Sequence, residues 1–319
     1  MTFENASDPI GMMETRIGIS GWRYKPWRGV FYPKGLLQKD ELSFASRQMN
    51  SIEINGTFYA QQNPKSFTEW YLETPDDFIF SVKCPRFITH MKKLRNVEAP
   101  LGNFFGSGVF YLQEKLGPFL WQLPPMFTFR DDVLENFFRL LPRTFGEAIE
   151  ISQWADRVIP DFPRNFNLHT ELRHAIEVRH DSFENPDFIE LLREHNISLV
   201  IADTAGRWPY MEDITSDFLY IRLHGGEEIY SSGYGEESLQ WWAERIMQWQ
   251  KGETPKDTLT MSEKIAPPRP RDVYVYFDND IKVRAPYDAR RLSELLDIKN
   301  IRYRSTSGTR KELDAVAQV

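Results

Sequence analysis

Cysteine is nearly absent from this chain. Cys84 is the only one in 319 residues, so no internal disulfide and no thiolate-rich zinc site can be built. Long apolar runs are missing as well: no uninterrupted stretch approaches the about 18 residues that a membrane-spanning helix needs, and no membrane association is expected. The first residues, MTFENASDPIGMMETR, have neither a basic segment nor an apolar one, so no secretion signal is read and a cytoplasmic protein is expected. Charge of one sign is also in short supply. Thirty-nine Lys+Arg against 46 Asp+Glu leave a net charge of −7, which gives no general attraction for DNA or RNA and makes a nucleic-acid partner depend on a local basic patch. A glycine-rich dinucleotide fingerprint is lacking too: SGWRYKPW follows the first apolar run, which argues against an open dinucleotide-binding sheet.

What is present is alternation. With 41% hydrophobic and 27% charged residues the chain can bury a sizeable core. Eight short β-branched or aromatic runs read as strands: 16–21, 51–55, 78–84, 119–123, 174–179, 198–203, 218–224 and 272–278. Helical periodicity falls between them, in KDELSFASRQM, PKSFTEWYLET, DDVLENFFRLL, NPDFIELLREH and EESLQWWAERIMQW, and Asn63-Pro64 and Asn185-Pro186 read as helix starts. Eight βα units can close on themselves and remove both sheet edges, so the expected fold is α/β, a single (β/α)8 TIM-like barrel over residues 16–298. Residues 1–15 precede it, and 299–319 form a basic tail containing Lys299, Arg302, Arg304, Arg310 and Lys311. Two stretches read as insertions: 142–173 before strand five, with an extra helix in EAIEISQWADRV, and the Pro-rich 251–271 before strand eight.

Side chains alternate across a strand, so each run splits into two faces. Leu219, Ile221 and Leu223 suit a helical layer, which leaves Tyr220, Arg222 and His224 facing the axis. The same split turns Glu53 and Asn55, Glu177 and Arg179, Ser81 and Lys83, with Ser20, Gln122, Asp203 and Asp278, toward the axis near the C-terminal strand ends, where barrels place their active sites. Each charge alone could be part of an ion-paired plug. A polar residue at the same end of all eight strands points instead to a site. Four carboxylates could hold a divalent metal, but Lys83, Arg179 and Arg222 among them would repel it. The mixture better suits a small anionic ligand, phosphorylated or carboxylated and sugar-like, with the cations as anchors and carboxylates handling hydroxyls or protons.

His90, His180 and His224 fall at or beyond strand ends and are acid/base candidates, whereas His169 and His195 read as structural. Lys83 admits a second role, because a desolvated lysine can form a Schiff base. Cys84 takes the opposite face and reads as core. Aromatic residues crowd the first loop: Trp27, Phe31 and Tyr32 read as cover, while Trp22 and Tyr24 could also form a stacking surface, as could Tyr230 and Tyr234 in the glycine-containing HGGEEIYSSGYG. The catalytic candidates are therefore Glu53, Lys83, His90, Glu177, His180, Asp203 and His224. Ser20, Trp22, Tyr24, Asn55, Gln122, Arg179, Arg222, Tyr230, Tyr234, Asp278 and Asn279 are the binding candidates. No motif indicates a cofactor beyond a possible divalent metal, and nothing specifies an oligomeric state. Three functions compete: an acid/base enzyme, a metal-assisted hydrolase or nuclease, and a non-catalytic metabolite or nucleic-acid binder.

Taken in order, ISGWRYKPWRGVFYP, SIEINGTFYAQ, FSVKCPRFITH, FLWQLPPMF, AIEVRHDSF, LVIADTAGRWP, FLYIRLHGG and VYVYFDND resemble the YecE-like family, also called domain of unknown function 72. The resemblance runs from about residue 16 to 296 and implies a TIM-like barrel without an assigned reaction. As family-pattern positions it implies Trp22, Glu53, Asn55, Lys83, His90, Gln122, Glu177, His180, Asp203, Arg222, His224 and Asn279. It favours Asn279 as the inward residue where alternation favours Asp278, and both stand as candidates. Asp278 where a second Asn is expected, Lys25 and Pro26 in the first loop, and Cys84 where a small residue is usual are departures that bear on ligand specificity.

Overall fold

The period-2 runs fold as eight parallel strands: β1 Thr15–Ser20, β2 Ser51–Ile54, β3 Ile79–Lys83, β4 Leu116–Gln122, β5 His174–Glu177, β6 Ser198–Asp203, β7 Phe218–Leu223 and β8 Asp272–Phe277. Each pairs with its neighbour in sequence, and β1 pairs with β8 to close the barrel. The computed structural model describes residues 13–298 apart from 165, 227, 228, 230 and 231. Tyr230 and the basic tail therefore lie outside the described residues. Among the described residues no helix is long and apolar enough to cross a membrane.

The helices are α1 Glu41–Ala45, α2 Gly56–Tyr59, α3 Pro64–Glu73, α4 Glu98–Phe105, α5 Asp131–Leu140, α6 Phe145–Ser152, α7 Pro186–Glu194, α8 Glu236–Gln250 and α9 Ala285–Leu295. Asn63 and Asn185 cap α3 and α7, accepting the N–H of Ser66 at 3.0 Å and of Asp187 at 2.8 Å. The extra helix is shorter than EAIEISQWADRV suggests. It begins at Phe145, where the Thr144 hydroxyl accepts the N–H of Glu147, and ends at Ser152. Phe145 packs there against Phe110, Phe162 and Phe166. The Pro-rich 251–271 stretch is tied to the residues after β6, Glu212 accepting the N–H of Leu259 and Asp213 those of Met261 and Ser262.

Two levels fill the barrel. The base holds Leu120, Ala175, Val200, Ala202, Phe218, Tyr220, Tyr274 and Tyr276, backed by Ile79. These side chains share the inward parity of their strands, and burying them supplies the apolar stabilisation that a barrel core needs. β1 and β2 approach so closely that a Cβ on Gly18 would lie 1.8 Å from the Ser51 carbonyl oxygen, so only glycine fits. Above the base the lining turns polar.

Candidate functional site

Arg222 organises the upper level. Inward parity on β7 puts its guanidinium across the lumen, fully buried, and each face of the fork finds a carboxylate. Nε and Nη2 donate to the two oxygens of Glu53 on β2 at 3.1 and 2.9 Å, a bidentate pair, while Nη1 donates to Glu177 Oε2 on β5. Nη2 also reaches Asp278 Oδ2 at 3.0 Å, just past β8, and Ser20 Oγ at 3.3 Å on β1. Glu53 accepts further from Ser20 Oγ at 2.8 Å and the Tyr220 hydroxyl at 2.7 Å. Glu177 Oε1 accepts from Gln122 Nε2 at 2.9 Å and Arg179 Nε at 2.7 Å.

His224 completes the network. Its Nδ1 lies 3.1 Å from Asp278 Oδ2 and its Nε2 3.4 Å from Arg222 Nη1. A guanidinium can only donate, so Nε2 is the acceptor and Nδ1 carries the hydrogen that faces Asp278. Burial, reinforced by Arg222, lowers the pKa of His224, which agrees with a neutral ring. Burial alone would raise the pKa of Glu177, but Arg179 and Arg222 outweigh it and hold the carboxyl well below the usual range. At Asp278 the same opposition is won by Arg222, with help from His224 and Lys83, and its pKa is also lowered.

Lys83 stands apart. It ends β3, is 7% exposed, and its ammonium lies 4.5 Å from the centroid of the Phe58 ring, yet that ammonium makes no hydrogen bond or ion pair with any described residue. Burial and then Arg222 lower its pKa to about 8, against the partial offset of Asp278, Glu53 and Glu177. Asn55 follows β2 directly, at the start of α2, and its Oδ1 is buried without a hydrogen-bond partner. His90 packs perpendicular to the same Phe58 ring at 5.1 Å, with Nδ1 2.9 Å from the Thr89 hydroxyl. Burial, Lys83, Arg179 and Arg86 bring its pKa down to about 4, so its imidazole is neutral at ordinary pH. Arg179 lays its guanidinium 3.8 Å over the Trp208 ring and uses Nε on Glu177, leaving both Nη groups without an acceptor among the described residues. Beside this corner, and sharing Phe58, a cleft of about 610 Å³ opens between Tyr59, Phe87, Met91, Asn103 and Arg157.

Other candidates fall elsewhere. Asp203, expected to face the axis, does not: it shares parity with Leu199 and Ile201 while Val200 and Ala202 line the lumen. Its carboxylate accepts from the Tyr234 hydroxyl at 3.0 Å and lines a separate pocket of about 360 Å³ with Glu237, Trp241 and Trp242 of α8. Burial raises its pKa there. Trp22 is packed against Trp70 of α3 and Phe80, on the helical side of the sheet, and offers no stacking face at the mouth. Tyr24 covers the rim, its hydroxyl donating to the Ser20 carbonyl and its ring against Trp27 at 4.6 Å. His180 caps the turn Asp181–Phe183 by accepting the N–H of Ser182 at 3.1 Å. Alternation holds at β8: Asp278 faces the lumen and Asn279 turns out, donating to Ser232 and to Asp288 of α9. Phe58 and Trp208 were not singled out from sequence. Phe58 lies in the short helix α2 and Trp208 in the loop after β6, where no strand parity marks them.

Residues 16–312 match the family described as Protein of unknown function DUF72. The chain belongs to the DUF72 family. It is similar to the UPF0759 protein YecE of Escherichia coli (strain K12), 25% identical over 241 residues that cover 75% of this chain and 83% of YecE. The UPF0759 protein YunF of Bacillus subtilis (strain 168) is 23% identical over 312 residues, covering 89% of this chain and 95% of YunF. Among solved structures, a DUF72 family protein from Thermotoga maritima superposes with a TM-score of 0.65 at 26% identity, covering 89% of this chain and 99% of that one. One from Enterococcus faecalis, at 17% identity and a TM-score of 0.62, covers 89% of this chain and 95% of its own and shows the shared fold. Membership of DUF72 accounts for the barrel; the chemistry has to be argued from its mouth.

Proposed function

We propose that the barrel mouth of this DUF72 protein binds a small anionic organic substrate, phosphorylated or carboxylated, and acts on it by proton transfer. One observation carries the reading: the cationic groups at the mouth have donors left over, whereas the inward carboxylates are ion-paired. Lys83 Nζ and both Nη groups of Arg179 lack acceptors among the described residues, while Glu53, Glu177 and Asp278 are held by Arg222. Open donors on a buried lysine and a ring-stacked arginine favour a carboxylate or phosphate. The neutral His90 beside them supplies a base.

A metal-assisted reaction draws less support. The Arg222 guanidinium occupies the space between the carboxylates, and among the described residues no three His, Cys, Asp or Glu side chains gather as a metal site. Stacking by Trp22, part of a non-catalytic binding reading, is not available from its packed position.

The test is a thermal-shift screen of phosphorylated and carboxylated metabolites on the full chain. A ligand at a hundredfold its Kd stabilises the folded state by about 3 kcal/mol, which raises Tm by several degrees, and Arg179→Gln removes the shift. If no anion in the panel moves Tm, or if the shift survives Arg179→Gln with Lys83→Met, the reading is wrong.

A further inference from the structure

Resting on that anion-binding reading, we infer that Lys83 is a nucleophilic amine that forms a transient imine with an anionic aldehyde or keto acid held through Arg179. A lysine kept for charge balance inside a protein is paired, because an isolated ammonium in a low-dielectric site is costly. Lys83 is 7% exposed and has no partner among the described residues. Two of its three carboxylate neighbours do not offer themselves, since both oxygens of Glu53 and both of Glu177 already accept from Arg222, Tyr220, Ser20, Gln122 or Arg179; Oδ2 of the third, Asp278, accepts from Arg222, and no ion pair joins Asp278 to Lys83. Anion binding alone would be served by a second arginine, whose charge does not depend on pH. A lysine at this place adds one property, the ability to lose its proton and attack.

The surroundings fit that chemistry. The charged groups acting on Lys83 are Arg222, Asp278, Glu53 and Glu177, with the neutral His90 against the same Phe58 ring, and together with burial they leave its pKa at about 8. At pH 7 roughly one amine in ten is then neutral, against less than one in a thousand for an ordinary lysine. The neutral amine adds its lone pair to the carbonyl carbon, forming a C–N bond and a carbinolamine. Its two N–H protons leave with the former carbonyl oxygen as water, and the C=N bond remains; water reverses the step. Asn55, one residue past the end of β2, keeps a buried Oδ1 without a hydrogen-bond partner, an acceptor for the carbinolamine hydroxyl. No outside oxidant or cofactor is needed.

Borohydride trapping tests this. The full chain is incubated separately with glyoxylate, pyruvate and pyridoxal 5′-phosphate, reduced, digested and mapped by mass spectrometry. The expected result is a reduced adduct on the peptide containing Lys83 at up to about one per chain, its initial rate of formation rising roughly ninefold from pH 6 to 7 and roughly fivefold from pH 7 to 8, and absent in Lys83→Met and Lys83→Arg. Circular dichroism of both variants checks folding, and Lys83→Arg, which keeps the charge, should retain an anion-induced Tm shift while losing the adduct. Labelling spread over exposed lysines with Lys83 unmodified overturns the imine. If anions still raise Tm in that case, the anion reading stands alone. A Lys83 adduct that forms equally with benzaldehyde, in a protein no anion stabilises, keeps the nucleophile and overturns the anion.

Discussion

Two buried cations sit at the same end of this barrel, and they are treated in opposite ways. Arg222 is fully enclosed and every face of its guanidinium meets a carboxylate, a hydroxyl or an imidazole from β1, β2, β5, β7 or β8. Lys83, at the end of β3, has an aromatic ring beneath it and no polar partner among the described residues. The difference teaches what each is for. A charge whose partners all lie inside the protein holds the protein together, whereas a buried charge with no hydrogen-bond or ion-pair partner among the described residues contributes no such tie, and the proposed function assigns it to a ligand.

The sharpest way to break this comparison is Arg222→Leu. Removing the guanidinium leaves Glu53, Glu177 and Asp278 buried together without their counter-ion, and a loss of roughly 3–5 kcal/mol is expected from denaturant unfolding, enough to leave much of the protein insoluble. Stability within 1 kcal/mol of the parent would mean that the network does not hold the barrel. Arg222→Lys should recover only part, since a point charge cannot fork to Glu53 and Glu177 at once.

Lys83→Met should go the other way. It removes a desolvated charge, so unfolding at pH 7 should show a gain on the order of 1–3 kcal/mol while ligand-induced shifts disappear. The sign follows from proton counting: with a folded pKa of about 8, the unfolded chain holds the Lys83 proton through a window where the folded one has released it. The parent's stability relative to the variant therefore rises from about pH 8 to the ordinary lysine pKa. A variant that is less stable at pH 7 would show that Lys83 is structural after all.

The smallest effect is the acid limb. Glu177 and Asp278 have folded pKa values held below their unfolded ones, so their contribution is present above about pH 4.5 and falls away as pH drops. Each should remove about 1.4 kcal/mol per pH unit below that point, and Glu177→Gln should make the slope of Tm against pH shallower by one carboxylate. An unchanged slope would place the ionised carboxylates outside the stabilising network.

Strand parity made much of this visible in the sequence. Wherever polar and apolar residues alternate without interruption, as in FLYIRLH and SIEIN, the inward set is the one seen: Arg222, His224 and Glu53 all line the lumen. Asp203 shows how the reading fails. The face split of SLVIAD takes Asp203 as inward, but Asp203 shares its face with Leu199 and Ile201, and in a run this apolar no polar alternation marks which face is the inner one. The pocket it actually lines is built by α8, whose placement no local pattern encodes. Trp22 fails for a related reason: a loop tryptophan has no periodicity, and only Trp70 and Phe80 settle which side it packs on. Above all, the sequence could list cations and acids but not say which were paired, and the contrast between Arg222 and Lys83 depends on that.

The network around Arg222 also bears on how the chain reaches this state. Its partners Ser20, Glu53, Glu177 and Asp278 lie 202, 169, 45 and 56 residues away along the sequence. The two longest, to Ser20 and Glu53, carry a large loop-closure cost and cannot form until the N-terminal strands have met the C-terminal ones. The plug thus belongs to the late side of the folding barrier, and replacing Arg222 should accelerate unfolding while leaving refolding nearly unchanged in stopped-flow measurements. No half of this barrel can complete that plug without the other.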